Sequence, residues 1–261
     1  MISPKKSLGQ NFLIDKNIIS KIVNSTIIKN KNILEIGAGT GNLTEYILKN
    51  NPKEIIIIEK DKNLCEVLRK KFAESSKVKI YNEDILDFDL EGNIKSDTTI
   101  FGNLPYNIST KILINIIKFN KWPPKYDSLI LMFQKEVAQR ILAKENSSEY
   151  GRLSIISNYR LKIINSFDVT NNCFFPKPKV DSTVLIFKPF NKDNDKYENF
   201  EKLEYITKVI FSNKRKMINK ALNKLFQNNS MISKKYDLNL KSRPSEISKK
   251  TFYKLADFYK K

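Results

Sequence analysis

Three short stretches hold residues whose types and spacing suit chemistry on a nucleoside. Glu35-Ile36-Gly37-Ala38-Gly39-Thr40-Gly41 follows an apolar run at 32–36. Glycines at a strand-to-helix turn let the backbone approach a ligand closely. The pattern is G-x-G-x-G, with Asn42 where the dinucleotide fingerprint wants a third glycine, and this disfavours a nicotinamide cofactor. A tight turn that happens to be glycine-rich is the plain alternative. Glu59 closes the next apolar run, 22 residues after Gly37, placed to accept hydrogen bonds from both hydroxyls of a ribose. Asp84, in Asn82-Glu83-Asp84-Ile85, follows a third run. Its carboxylate could accept from the exocyclic amine of an adenine with Ile85 flanking the ring, or it could simply serve a turn or a helix cap.

A fourth stretch, IFGNLPYNIST at 100–110, starts as the end of a buried strand and then places Asn103, Pro105 and Tyr106 in a turn. An amide oxygen, carbonyls stiffened by a proline ring and a flat aromatic face are parts for holding a planar ring that bears an NH2 group. They fit a nucleobase amine taken out of its stack. A fifth, Cys173-Phe174-Phe175-Pro176-Lys177-Pro178-Lys179-Val180, sets two aromatics before a stiff Pro-x-Pro with lysines beside it. One phenylalanine reads as a plug under the loop, and the other could close over the second face of the same base.

These residues need a scaffold that brings strand ends together. Candidate strands at 32–36, 54–58, 78–81, 98–101 and 128–133 alternate with helical patterns at 45–49, 62–73, 111–118 and 135–144. That rhythm predicts an α/β fold with a doubly wound, mostly parallel sheet. Runs at 161–169 and 180–187 read as an antiparallel hairpin ending the sheet. After Pro189 the polar stretch NKDNDK at 191–196 reads as a linker, and beyond it only helical signals remain, at 204–210, 217–226 and 250–259. The expected organisation is therefore a larger domain at 1–190 and a small α-helical domain at 191–261.

The chain of 261 residues carries 47 Lys and Arg against 28 Asp and Glu, a net charge of +19. The stretch 191–261 holds 18 basic and 8 acidic side chains, so charge is densest there. An excess of this size points to a polyanion, nucleic acid ahead of an anionic membrane surface, although solvated lysines in a Lys-rich proteome explain part of it. Lys216, Lys220 and Lys224 recur every four residues, with Ile218, Ala221, Leu222 and Leu225 on another face. Two cysteines far apart, Cys65 and Cys173, make neither a disulfide framework nor a zinc site and read as reduced in a cytosol-like compartment. The N-terminus has no apolar signal region, and no apolar run approaches the length of a transmembrane helix. The chain has no histidine, which excludes Ser-His and Cys-His nucleophilic pairs, imidazole acid–base chemistry and His-ligated metals.

Taken in order, the motifs resemble the small-subunit (16S-type) ribosomal RNA adenine N6,N6-dimethyltransferases. The likeness runs through Leu8-Gly9-Gln10-Asn11-Phe12-Leu13, the EIGAGTG turn, Glu59, Asp84 and NLPYNIS. It continues through Gln134-Lys135-Glu136-Val137, Tyr150-Gly151-Arg152-Leu153-Ser154, Phe174 with Pro-Lys-Val-Asp-Ser at 178–182, and Lys214-Arg215-Lys216. Phe175 and Lys177 depart from the family pattern, which has smaller or proline residues there. The resemblance implies a Rossmann-like class I methyltransferase domain plus a basic C-terminal domain that helps dock on the assembling small subunit. It implies S-adenosylmethionine as methyl donor, held by Asn11, Leu13, Gly37, Glu59, Asp84 and Asn103, and no metal. Asn103, Leu104, Pro105 and Tyr106 correspond to the target-adenine site and Phe174 to its second stacking face. Lys214, Arg215, Lys216 and Lys220 are candidates for RNA phosphates. The implied partner is the small ribosomal subunit and its rRNA, with a cytoplasmic, monomeric protein and no membrane. The rivals are the large-subunit rRNA adenine methyltransferases, which share an Asn-x-Pro-Tyr site, a DNA adenine methyltransferase, and a binding protein that checks subunit assembly without transferring methyl groups. Leu104 and the 150–154 run favour the small-subunit group.

Overall fold

The computed structural model describes residues 4–5, 9–190 and 199–260. Leu8 and the expected linker at 191–196 lie outside the described residues. Among the described residues the strands are β1 Phe12–Leu13, β2 Asn32–Ile36, β3 Glu54–Glu59, β4 Val78–Asn82, β5 Thr98–Asn103, β6 Tyr126–Gln134, β7 Leu161–Val169, β8 Phe174–Phe175 and β9 Ser182–Pro189. Among the described residues the helices are α1 Lys16–Val23, α2 Asn42–Lys49, α3 Lys62–Lys71, α4 Leu90–Asn93, α5 Ser109–Ile117, α6 Lys135–Leu142, α7 Arg152–Arg160, α8 Phe200–Ile210, α9 Asn219–Leu225, α10 Asn229–Tyr236 and α11 Lys249–Phe258. The chain divides into two compact units, Met1–Ala138 with Leu161–Phe190, and Gln139–Arg160 with Asn191–Lys261.

The first unit is built on a seven-stranded sheet of order β4-β3-β2-β5-β6-β9-β7. β2 runs parallel to both β3 and β5, and the parallel set extends to β4 on one side and β6 on the other. The order therefore reverses between β2 and β5. In an open parallel sheet the crevice outside the carboxyl ends of the strands at such a switch is where ligands bind. The central strands are apolar on both faces because helices cover both. Ile33, Ile55, Ile57, Phe101 and Ile130 join the core beneath α1 and α2, together with Ile19, Ile22, Leu43 and Ile47. The expected hairpin is present, but its second strand is inserted: β9 lies between β6 and β7 and pairs antiparallel with each. A separate ribbon, not visible in the sequence, pairs β1 antiparallel with β8.

The second unit is helical. It takes in 139–160, which the sequence placed within the first domain. The reason is packing: α7 supplies Ile155, Ile156 and Tyr159, all buried, to a core shared with α8 and α11. The Tyr159 and Tyr253 ring centroids are 5.0 Å apart, and the Tyr253 hydroxyl donates to the Ile155 carbonyl at 3.1 Å. The Tyr150 hydroxyl likewise donates to the Ile247 carbonyl at 3.0 Å. α9 begins at Asn219, so Lys216 precedes the helix, and Lys220 and Lys224 alone of the three lie on it.

Candidate active site

The glycine turn closes β2 and opens α2. Gly37 and Gly39 sit at φ +69° and +58°, where a side chain is strained, and the Gly37 N–H donates to the Ile58 carbonyl at 2.9 Å. A Cβ on Gly39 would stand 2.8 Å from the Phe12 ring, so the turn and the β1 ribbon meet face to face only because Gly39 has no side chain. The Asn42 amide donates to the Leu13 carbonyl at 2.9 Å, a second tie between turn and ribbon. Asn42 is thus a positioning residue, a role that its place in the G-x-G-x-G pattern did not signal.

Glu59 ends β3 and is buried. Its carboxylate accepts from the Gly39 N–H at 3.1 Å and from the Asp61 N–H at 3.0 Å. Burial raises its pKa, and these two backbone donors oppose that rise. Asp61 is 4% exposed and caps α3 by accepting from the Asn63 N–H. It also accepts from Lys5 Nζ at 2.9 Å and Gln10 Nε2 at 3.0 Å. Burial pushes the Asp61 carboxyl up, but these donors outweigh it and hold the group below its ordinary range. An Asp directly before an apolar-periodic helix is an N-cap signal, so the residue was findable, though not its second task. Asp84 lies past β4 and accepts from the Leu86 N–H at 3.0 Å and from Lys60 Nζ at 2.7 Å, which together lower its pKa.

Asn103 is the last residue of β5, across the switch point from Gly37. Its amide nitrogen donates to the Asn11 carbonyl at 3.0 Å. That bond fixes which end of the amide is the donor and leaves the oxygen as the acceptor. The Tyr106 hydroxyl is 2.7 Å from Ser182 Oγ, which ties the NLPY turn to the start of β9. Asn11, Leu13, Gly37, Glu59, Asp84 and Asn103 all line one cavity at the strand ends, and Leu104, Pro105 and Tyr106 line it too.

Phe174 is not among the residues that line that cavity. Its ring is 3% exposed and packs in the core with Leu13, Val169 and Cys173. Neighbours in an extended segment point to opposite faces, so its successor Phe175 is turned outward and is 58% exposed. The plug of the two phenylalanines is Phe174.

Glu35 is a further carboxylate in the cavity wall. It is 2% exposed and accepts from Thr44 Oγ1 at 2.6 Å. Burial pushes its pKa up to about 7, with the Thr44 bond opposing. Between about pH 4.5 and 7 the folded protein therefore holds a proton that the unfolded chain has lost. The stability this contributes is full below pH 4.5 and is lost as pH rises through 7. Glu35→Gln keeps an acceptor for Thr44 and does not titrate. Chemical denaturation of ligand-free protein is expected to show wild type losing up to about 3 kcal/mol relative to Glu35→Gln between pH 4.5 and 8. Parallel curves for the two proteins would mean that Glu35 is ionised throughout.

Among the described residues no group of three or more Cys, Asp or Glu side chains is placed to hold a metal ion, and no helix is long and apolar enough to cross a membrane.

Comparison with known proteins bears on what this cavity serves. The profile of the family described as Ribosomal RNA adenine dimethylase matches residues 1–261. The chain belongs to that family. A relative from Pelagibacter ubique (strain HTCC1062), named Ribosomal RNA small subunit methyltransferase A, is 45% identical over 99% of this chain and 97% of its own. One of the same name from Mesomycoplasma hyopneumoniae (strain 232) is 43% identical over 98% of this chain and 96% of its own. Among solved structures, a dimethyladenosine transferase from Plasmodium falciparum superposes with a TM-score of 0.77 at 27% identity, covering 94% of this chain and 95% of that one. The 23S rRNA methyltransferase ErmE gives 0.69 at 19% identity over 95% of this chain and 98% of its own, a likeness of fold. The fold expected from the sequence, a Rossmann-like methyltransferase sheet followed by helices, is therefore that of the ribosomal RNA adenine dimethylases.

Proposed function

We propose that the protein transfers methyl groups from S-adenosylmethionine to the exocyclic amine of two adjacent adenosines near the 3′ end of small-subunit rRNA. The product is dimethyladenosine, formed during ribosome assembly. The observation that carries this reading is Asn103: its amide is oriented by Asn11, and its acceptor oxygen belongs to the same cavity wall as the glycine turn, Glu59 and Asp84. Family membership supplies the reaction class.

The chain fits the donor in three places. Gly37 allows close backbone approach, Glu59 is placed for the ribose hydroxyls, and Asp84 beside Ile85 suits the adenine edge. S-adenosylmethionine supplies an electrophilic sulfonium methyl. An adenine amine is a poor nucleophile because its lone pair is delocalised into the ring. Hydrogen bonds from that NH2 to Asn103 Oδ1 and to a carbonyl near Pro105 favour a pyramidal nitrogen and stabilise the positive charge that grows on it. Tyr106 offers the ring face against which the base stacks, anchored by its bond to Ser182. The methylated nitrogen is acidic and sheds its proton without a strong base, which suits a chain without histidine.

The deciding experiment is transfer of labelled methyl from S-adenosylmethionine to unmethylated small subunits, with large subunits and free DNA alongside. Label confined to small-subunit RNA as dimethyladenosine supports the reading. Label on large-subunit RNA, or tight subunit binding with no label, overturns it.

The helical unit is the proposed docking part. Lys214, Arg215, Lys216 and Lys220 are all exposed. Lys214 donates to the Ser148 carbonyl, which aligns the start of this basic run. Replacing all four by alanine is expected to lower the slope of log affinity against log salt by about 3, at roughly 0.7 to 0.9 per phosphate contact. Filter binding across a salt series measures it, and an unchanged slope removes these residues from the interface.

A further inference from the structure

The loop after β8 frames the cavity from outside. At its start, Phe175 stands opposite Phe12 in the β1–β8 ribbon, and Leu13 stands opposite Phe174. Residues directly opposite in an antiparallel pair share a face. Leu13 and Phe174 turn into the core, so Phe12 and Phe175 share the other face, and Phe12 lies against Gly39 in the cavity wall. At its end, Ser182 is bonded to Tyr106 of the NLPY turn. The loop thus runs from the ribbon beside the glycine turn to the NLPY turn. Asp181 holds it down at two points, its carbonyl accepting from the Lys135 N–H at 3.0 Å and its carboxylate from the Asn171 N–H at 2.9 Å. Pro176 and Pro178 stiffen the part between.

What this rigid loop presents outward is an aromatic ring with cations beside it. Phe175 is 58% exposed and stacks on no other ring among the described residues, while Lys177 and Lys179 are exposed one and three residues beyond Pro176. Singly exposed apolar residues are ordinary. An exposed ring cross-strand from the cavity-lining Phe12, with two lysines on the same loop, has the make-up of a single-stranded nucleic-acid platform, in which a base stacks on the ring and its backbone meets the cations.

We infer that Phe175, with Lys177 and Lys179, forms a subsite for the nucleotide next to the target adenosine. The ring stacks the neighbouring base while the target base occupies the cavity. This rests on the proposed function and deepens it: an enzyme that modifies two adjacent bases must hold one while it treats the other.

The test uses the full chain and a single-stranded RNA carrying two adjacent adenosines, one of them replaced by 2-aminopurine, whose fluorescence falls on stacking. Wild type is expected to quench it. Phe175→Tyr keeps the quench, whereas Phe175→Leu, apolar but not aromatic, loses it and binds about tenfold more weakly. Lys177→Ala with Lys179→Ala keeps the quench and lowers the salt slope by about 1.4. Equal quenching by Phe175→Leu and wild type, or no binding of this RNA by wild type, overturns the subsite. Methyl transfer to small subunits is measured with the same proteins. Aromatic-dependent quenching without any transfer would sink the proposed reaction and leave the subsite standing, so the two failures are distinct.

Discussion

Asn103→Ala is expected to lower kcat by about a hundredfold to a thousandfold, the range found when one well-aimed hydrogen-bond partner of a charged transition state is removed. Asn103 closes β5, whose ladder to β2 and β6 is made by backbone groups, so the strand keeps its pairing without the amide. Two things are lost. The amide oxygen no longer accepts from the target NH2, and the Asn11 carbonyl loses its 3.0 Å donor. Asn103→Asp separates them. It keeps an acceptor but sets a carboxylate against the Asn11 carbonyl, so it should loosen the N-terminal segment while retaining more turnover than alanine. Single-turnover methyl transfer gives the rates, and circular dichroism establishes that each variant is folded. A folded Asn103→Ala with near-wild-type turnover would remove the amide from the chemistry.

The parts of the site that the sequence made legible share a physical cause. Parallel strands covered on both faces are continuous apolar runs, and the fold puts ligands at their carboxyl ends. Each run therefore pointed to a residue that lines the cavity: 32–36 to Gly37, 54–58 to Glu59, 78–81 to Asp84, 98–101 to Asn103. The parts not legible have causes too. β1 and β8 are two residues each, too short for any period, and their pairing joins positions some 160 residues apart in the chain. Without that pairing nothing in the residues themselves distinguishes Phe174 from Phe175. α7 is buried nearly all round, so it shows no amphipathic stripe, and its membership of the helical unit follows only from the rings it packs against. Glu35 is hidden at the head of a glycine motif, because alternation does not reveal that a polar residue on the core face of β2 will find Thr44.

Glu59→Ala is expected to raise the KM for S-adenosylmethionine at least about a hundredfold. A carboxylate accepting from two ribose hydroxyls makes two charge-assisted bonds, each of about 1.5 to 3 kcal/mol. The same side chain has a second task within the protein. It gathers the Gly39 N–H from the glycine turn and the Asp61 N–H from the start of α3. Asp61 in turn holds Lys5 and Gln10. The N-terminal segment then reaches the other side of the cavity, where Asn11 meets Asn103. Glu59 is thus the joint between the glycine turn, the start of α3 and the N-terminal segment that meets Asn103. Removing it leaves the Gly39 N–H in the cavity wall and the Asp61 N–H at the start of α3 without their acceptor, so the cost exceeds the lost ribose contacts. Glu59→Gln distinguishes the two contributions: its amide oxygen still accepts from one N–H, but its NH2 end faces the other donor and its charge is gone. An order of effect of alanine above glutamine above wild type, read by calorimetric titration of the cofactor, is the expected result. Equal cofactor affinity in all three would mean that the ribose is held elsewhere and that Glu59 serves the turn alone.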